Sequence, residues 1–200
     1  QPAQPKIWEL TRSIVTMVAS NDVYLQYEIY EAVWHAVNER VAAEPTNWWQ
    51  VRDVANLYRR FHQEARIRRI EDQILHPRGL DYPTYLQRQR DLAQPVVNEI
   101  VAELAQFELP TTSFLLVGND VQLSSVTPHV YVIHNGSVSC RDAIGFAAIG
   151  SGSSHAYSHF AVEAYTRHRP GAEGLYNVLW AKKRAERAQG VGQQTDMFLI

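Results

Sequence analysis

The sequence predicts an α+β protein in which antiparallel sheets carry helices on their outer faces. Segments with the two-residue period of strands and segments with the 3.6-residue period of helices come in separate blocks along the chain. Strands and helices therefore do not alternate one by one, as they would in a doubly wound βαβ fold. The 200 residues, of which 46% are hydrophobic, are enough for one domain with a sizeable core.

The first block predicts a β-hairpin followed by long helices. Residues 6–10 (KIWEL) alternate polar and apolar side chains, and residues 13–19 (SIVTMVA) form a second strand after a short break. The next three residues, Ser-Asn-Asp, are typical N-caps. Helical stretches are expected at residues 23–43, 48–75 and 81–104, with Pro95 restarting the third.

The second block predicts strands first and helices after them. Asn135-Gly136 is a strong hairpin signal between two of the strands. Strands are expected at residues 113–118, 129–133, 137–140 and 144–149, helices at 153–165 and 172–188, and a last strand at 195–200.

Charge and composition give no reason to expect nucleic acid or membrane as a partner. The formal net charge is −2 and the isoelectric point is near 6.5. No apolar run approaches 18 residues, and residues 1–6 have neither the basic nor the apolar region of a signal peptide. A single cysteine fits a reducing compartment. We therefore expect a cytoplasmic protein.

Three segments of the second block form an ordered set of landmarks: residues 114–120 (FLLVGND), 128–133 (PHVYVI) and 146–153 (FAAIGSGS). They resemble the central signature of proteasome core-particle subunits and their bacterial relatives. Upstream, residues 6–8 (KIW), a strand and a long helix resemble the third and fourth strands and first helix of the same family. The resemblance touches most of the chain and implies a four-layer αββα sandwich, the fold of the N-terminal-nucleophile (Ntn) hydrolases.

The resemblance also implies a mechanism. In the family the first residue of the mature chain, a Thr, Ser or Cys, attacks an amide while its own α-amino group acts as general base. An α-amine with a pKa of about 7.7 to 8.0 suits that role. Gln1 has no nucleophilic oxygen, so the resemblance implies a nucleophile upstream of Gln1, and by spacing Pro2 lies nearest the family's lysine.

Two site residues are carried over from the family. The backbone N–H at the turn after the fourth strand forms the family's oxyanion hole; here the turn is Ala19-Ser20-Asn21, with Ser20 where a glycine is usual. Ser151 matches a serine that hydrogen-bonds near the nucleophile's amine. Glu186 is a displaced candidate for the family's acidic residue. The resemblance thus implies Ser20, as a backbone donor, and Ser151 as site residues.

One stretch departs from conventional subunits. Residues 67–108 insert a helical hairpin where those subunits pass quickly from helix to strand. We expect a single Ntn-hydrolase-like domain over residues 1–200, incomplete at its N-terminus, from a non-canonical bacterial branch. The implied partners are a peptide or unfolded-protein substrate and further copies of the chain in a ring or related assembly, with the first two long helices as subunit contacts.

Three functions stay open. The first is a threonine-type peptidase that hydrolyses peptide bonds in intracellular proteolysis. The second is a catalytically silent structural subunit like the family's α-type subunits, which Ser20 and the displaced acid favour. The third is a small-molecule amidase of the Ntn class, since one fold hosts several amidase chemistries.

Other motifs have simpler interpretations than ligand or catalytic sites. His155 and His159 have the spacing of two metal ligands, but no third ligand accompanies them, so packing or surface histidines are expected. Cys140 has no partner constellation and is interpreted as a buried structural cysteine. The sequence Gly150-Ser151-Gly152 lacks the lysine of a phosphate loop. No cofactor and no metal are expected.

Two surface patterns are ambiguous. Five arginines form a basic stretch, and the acidic residues Glu64, Glu71 and Asp72 lie among them. A salt-bridged helix face is therefore favoured over a nucleic-acid surface. A set of aromatic residues at helical spacing is interpreted as core or subunit interface, with a binding platform as the alternative. The arginines are Arg59, Arg60, Arg66, Arg68 and Arg69, and the aromatics are Tyr24, Tyr27, Tyr30, Trp34, Trp48 and Trp49.

Overall fold

The computed structural model describes residues 6–122 and 125–200. Within these ranges the chain forms one five-stranded antiparallel sheet and six α-helices. The predicted α+β class with antiparallel strands is therefore confirmed.

The five strands lie in the sheet in the order in which they follow in the chain. At the turn between the last two strands, Asn135 and Gly136 have φ values of 47° and 76°, the left-handed conformation that a two-residue hairpin turn needs. The strands are β1 (Ile7–Thr11), β2 (Ile14–Ser20), β3 (Thr112–Gln122), β4 (Ser125–His134) and β5 (Ser137–Cys140).

The helices follow the predicted blocks with different ends. The second long helix continues through a π-helical turn (Glu71–Leu75) and a 3₁₀ turn (His76–Arg78), and stops at Gly79, whose φ is 71°. The α-helices are α1 (Val23–Ala43), α2 (Val51–Ile70), α3 (Tyr82–Arg88), α4 (Gln94–Gln106), α5 (Ser153–Val162) and α6 (Gly171–Ala185). Among the described residues no helix combines the length and apolarity that crossing a membrane requires.

The main core lies between one face of the sheet and the pair α1 and α2. On α1 the buried side chains recur every fourth residue, so they form one stripe along the helix. Phe114 of β3 packs on Tyr58 of α2, with ring centroids 4.5 Å apart. Gly118 is needed where α2 begins, because a Cβ there would lie 2.9 Å from Val51 Cγ2. Burying these aromatic and branched side chains supplies most of the driving force for folding.

The opposite face of the sheet is also apolar. The strand register places Val15 beside Val117 and Met17 beside Leu115, and these residues alternate with the core residues of the first face. Strands that read as continuous apolar runs are typical of sheets buried on both faces. Among the described residues the extensive helix packing on the strands comes from α1 and α2 alone, so most side chains of this second face stay half-buried. We call it the open face.

Two sequence predictions are wrong in detail. Residues 144–149 are not a strand, because the chain turns at Arg141 directly after β5: the N–H groups of Ile144 and Gly145 both donate to the Arg141 carbonyl. Residues 195–200 are exposed and irregular, since they pair with no strand of the described residues. The restart predicted at Pro95 is confirmed: the stretch 81–104 divides into α3 and α4, and Pro95 lies in the first turn of α4.

The predicted insertion has a small core of its own. Residues from the end of α2, the π turn, α3 and α4 pack together apart from the main core. Arg78 links its elements, because its guanidinium contacts Glu103 at 2.8 Å and Glu99 at 3.1 Å. The hydrogen bond to Glu103 raises the Arg78 pKa. The buried residues of this cluster are Ile70, Ile74, Leu75, Tyr85 and Ile100.

Candidate functional site at the end of β2

Ser20 is the last residue of β2 and pairs with Thr112 of β3. Its hydroxyl lies within donating distance of the carbonyls of Thr111 (3.1 Å) and Asp22 (2.9 Å), and it accepts the N–H of Asp22 at 3.0 Å. Asp22 in turn caps α1, where its carboxylate accepts the N–H groups of Tyr24 and Leu25. The Ser20 side chain is thus committed to fixing the turn, which leaves only its backbone as a donor for a ligand.

The backbone at Ser20 does not need a glycine. Among the described residues, positive φ values occur at Asn135, Ala164 and five glycines, and Ser20 is not one of them. A serine therefore fits this position without backbone strain. The Asp22 pKa is lowered, chiefly by the hydrogen bond from the Leu25 N–H. The start of α1 therefore stabilises the negative charge of Asp22 beside the turn.

Ser151 lies in the turn before α5 and is exposed. The two glycines around it fix the turn for different reasons. Gly150 has φ 84°, a conformation that L residues rarely adopt. Gly152 is buried, and a Cβ there would come within 2.7 Å of the Ala185 Cβ. The turn is therefore held against the end of α6.

The same turn reaches the end of β2. A Cβ built on Gly150 would lie 3.3 Å from the Cβ of Ala19, the residue before Ser20. Ala19 lies on the open face, since its neighbour Val18 points into the core. The structure therefore brings the Ser20 and Ser151 segments, 131 positions apart in the chain, to one edge of the open face.

Glu186 lies directly after α6 and close to the turn around Ser151, because the preceding residue, Ala185, lies against Gly152. Its carboxylate contacts Lys182 Nζ at 2.6 Å and Lys183 Nζ at 3.1 Å. The hydrogen bond from Lys182 is the main cause of a lowered Glu186 pKa. Glu186 is therefore a paired, ionised carboxylate, a poor proton acceptor beside two ammonium groups.

Gln1 and Pro2 lie outside the described residues. The implied nucleophile upstream of Gln1 and the lysine position at Pro2 therefore stay predictions. The site as described consists of a turn with a fixed backbone, an exposed serine hydroxyl and a paired carboxylate.

The two histidines have different surroundings: His159 is a packing residue and His155 a surface residue. His159 is buried, with only 3% of its surface exposed, whereas His155 is exposed. Two imidazoles in such different surroundings do not present their nitrogens to a common ion. Within residues 6–122 and 125–200, no group of three or more His, Cys, Asp or Glu side chains has the geometry of a metal site.

Cys140 is exposed, which contradicts the buried position expected for it. It is the last residue of β5, an edge strand, opposite Tyr131. An edge strand has a neighbour on one side only, so its final residue is poorly covered.

Three of the five arginines pair with carboxylates, and two of these pairs are with α1 and its cap. Arg68 contacts Glu28 at 2.7 Å, and Arg69 contacts both Glu28 and Asp22 at 3.5 Å. Of the three interleaved acids, only Glu64 pairs within the stretch, with Arg60 at 3.5 Å. A salt-bridged surface is therefore correct, although the sequence pointed to the wrong partners because contacts between helices are not visible in helical spacing.

The aromatic set divides between core and surface. Tyr30 packs on Trp8 at a ring distance of 4.3 Å, and the Trp49 indole N–H donates to the Val37 carbonyl at 3.2 Å. Tyr24, Tyr27, Trp34 and Trp48 are exposed.

The sequence analysis missed a polar cluster formed by β3, β4 and the turn after β5. His129 Nδ1 lies 2.7 Å from Asp142 Oδ2, and His129 Nε2 lies 3.3 Å from Asp120 Oδ2. We call these three residues the aspartate–histidine clasp. Burial tends to raise the Asp142 pKa, but bonds from the Val130 N–H and from His129 outweigh it, and the Asp142 pKa is lowered.

The clasp also holds the start of α2. Asp120 Oδ1 accepts the N–H of Val51 at 2.7 Å, a donor that Gln50, the N-cap residue, does not satisfy with its side chain. The signal that could have revealed the clasp is the β3–β4 register, which places Asp120 and His129 near the same end of one hairpin. Without that register the three residues are scattered polar positions.

No model of a known protein family matches the chain. A search of curated proteins likewise finds no significant relative.

Proposed function

We propose that the chain belongs to an Ntn hydrolase of the proteasome type that hydrolyses peptide bonds in the cytoplasm. One observation carries the proposal: the Gly150-Ser151-Gly152 turn meets the end of β2 at the edge of the open face. The resemblance assigns an oxyanion donor to the first segment and a hydrogen-bonding serine to the second. Two such segments at one edge would serve a nucleophile held between them.

The open face supports the four-layer αββα sandwich as the complete fold. In that fold a second sheet would cover Met17, Leu115 and Val117, which are apolar side chains that are only half-buried. α5 and α6 would form the outer layer of that second sheet. The exposed apolar residues of α6 fit this role; they are Leu175, Tyr176, Val178, Leu179 and Trp180.

The proposed substrate is a peptide or an unfolded protein, and the proposed state is an oligomer of this chain. The fixed backbone at Ser20 supports a pre-organised N–H donor, because such a donor costs no reorganisation during the reaction. The exposed Ser151 hydroxyl is free to approach the amine of a nucleophile supplied by another part of the protein.

A silent structural subunit is the second candidate. It is favoured by Glu186, whose carboxylate is occupied by Lys182 and Lys183. A carboxylate in this state contributes little to proton transfer.

Hydrolysis of a panel of fluorogenic peptides by the full-length protein tests the proposal. We expect turnover, a loss of about tenfold or more in kcat for Ser151→Ala, and a displaced acidic limb of its pH–rate profile. Ser158→Ala is the matched control, because its hydroxyl bonds only within α5, to the Ser154 carbonyl. Absence of turnover in an assembled protein would favour the silent subunit, and turnover of small amides alone would favour an amidase.

A further inference from the structure

The helix α1 carries a second stripe on the side away from the sheet. Its members are separated by alternate steps of three and four residues, the spacing of the a and d positions in a heptad repeat. The stripe consists of Tyr24, Tyr27, Glu31, Trp34, Asn38 and Val41. The buried stripe of α1, at Leu25, Ile29, Val33 and Val37, faces the opposite direction. A helical seam of this spacing is suited to a partner helix.

The two ends of the stripe have complementary shapes. At its C-terminal end, Trp34, Asn38 and Val41 form one wall of a groove of about 640 Å³ that also includes Trp48 and Trp49. At its N-terminal end, Tyr24 projects with 87% of its surface exposed. A projection and a groove on one helix are self-complementary under a two-fold axis, which seats each projection in the partner's groove.

We propose that α1 pairs antiparallel with α1 of a second copy of this chain. The two-fold axis passes between residues 32 and 33, so Tyr24 faces Val41, Tyr27 faces Asn38 and Glu31 faces Trp34. Tyr27 with Asn38, and Glu31 with Trp34, each join a hydrogen-bond donor to an acceptor. The Trp34 indole N–H faces the Glu31 carboxylate, and the Tyr27 hydroxyl faces the Asn38 amide.

Charge selects the antiparallel direction. A parallel pair would place each Glu31 against its counterpart, and two carboxylates at such a position repel. Antiparallel pairing separates them and also opposes the two helix dipoles.

The exposed area is sufficient for such a contact. Tyr24, Tyr27, Trp34 and Trp48 are 87%, 52%, 39% and 55% exposed. At roughly 200 Å² for a whole aromatic side chain, these four leave about 450 Å² per copy. That is more than half of the ~800 Å² per partner of a standard interface, before the polar flanks are counted. The inference rests on the proposed oligomer, for which it names the contact surface, and self-association is measured separately from peptide hydrolysis.

Sedimentation of the full-length protein over a range of concentrations tests the pairing. We expect self-association that Tyr24→Glu and Trp34→Glu each weaken by at least tenfold in Kd. Tyr24→Glu adds an acid to the first turn of α1, which the helix dipole favours, so the fold is retained. Leu86→Glu on α3 is the matched control, at a 50% exposed leucine outside the stripe, and leaves Kd unchanged. A protein that is still monomeric at roughly 100 μM would overturn the proposal. So would an assembly that both α1 variants leave intact.

Disulfide trapping in a Cys140→Ser background tests the direction. The double variant Tyr27→Cys with Asn38→Cys is expected to form a covalent dimer. Within one helix these residues are about 16 Å apart, too far for a bridge. Tyr27→Cys alone is expected to stay monomeric on non-reducing gels. A dimer from the single variant would indicate parallel pairing, and no dimer from either would exclude the interface; both results contradict the proposal.

Discussion

Both faces of the sheet carry apolar side chains, but they differ in what covers them. On the helix face, Phe114 and Leu116 lie beneath α1 and α2 and are almost fully buried. On the open face, Leu115 and Val117 come from the same strand and are only half-buried. Apolar alternation therefore specifies which faces need cover, whereas the cover itself comes from other parts of the molecule.

Removing a large side chain from the helix face should have the largest effect. Phe114 is 1% exposed and stacks on Tyr58, so Phe114→Ala is expected to lower the free energy of unfolding by about 3–5 kcal/mol. Denaturant unfolding of the full-length protein measures this loss. Val126→Ala, at an exposed position of β4, should change it by less than about 0.5 kcal/mol. Similar losses for both variants would contradict the assigned core.

The equivalent change on the open face sharpens the comparison. If a second sheet covers this face in the full-length protein, Leu115→Ala should lower the free energy of unfolding by about 2–4 kcal/mol. A half-exposed leucine without cover should lose about 1 kcal/mol or less. The same denaturant experiment separates the two cases, and we expect the larger loss. The smaller loss would contradict the four-layer sandwich.

The β4–β5 turn tests how closely the helix face is packed. A Cβ at Gly136 would lie 2.8 Å from His62 Nδ1, and the residue has a φ of 76°. Gly136→Ala is therefore expected to cost about 1–3 kcal/mol in the free energy of unfolding. Gly171→Ala is the matched control, because a Cβ there meets no atom within 4 Å and alanine favours the helix. Equal melting temperatures for both variants would show that the turn does not pack on His62 as described.

The aspartate–histidine clasp should give a smaller, pH-dependent effect. The lowered Asp142 pKa means that its contribution to stability is present above the carboxyl's unfolded pKa of about 3.9 and is lost as pH falls through the folded value. Asp142→Asn should therefore lower the urea midpoint at pH 6, and the difference from wild type should shrink below about pH 4. A difference that is constant between pH 6 and pH 3 would show that the Asp142 charge does not act through the clasp.

Burial of His62 predicts a second pH dependence of stability. As with Asp142, stability falls as the pH falls, although the titrating group is a base. Desolvation lowers the His62 pKa, so the unfolded chain binds a proton more readily than the folded one. Stability should therefore fall as pH drops below about 6.5. Thermal melts of wild type and His62→Gln between pH 8 and 5 check this, and an equal pH slope in both proteins would contradict it.

Local elements were predictable where one chemical rule decided them. The Asn135-Gly136 turn follows from its need for positive φ, and the start of α1 follows from the Asp22 cap. Residues 144–149 have the composition of a strand, yet the turn at Arg141 leads them away from β5. Strand composition states a preference for pairing, but the available edge decides whether a strand forms.

The candidate site was predictable only in part. Ser20 and Ser151 could be named from the resemblance, while their closeness depends on a contact between Ala19 and Gly150 that no local pattern contains. The partners of Arg68 and Arg69 and the whole clasp depend on the packing of separate elements. Side-chain partners across elements follow from register and packing, which a single sequence does not determine.

N-terminal sequencing of the mature protein, purified from its natural host, decides whether this chain belongs to an active peptidase. We expect a leading Thr, Ser or Cys, followed further along by an acidic residue and a lysine. Such a terminus would supply the nucleophile and the α-amine that the Ser20 and Ser151 segments are proposed to serve. Any other first residue would contradict the peptidase proposal and favour a silent structural subunit.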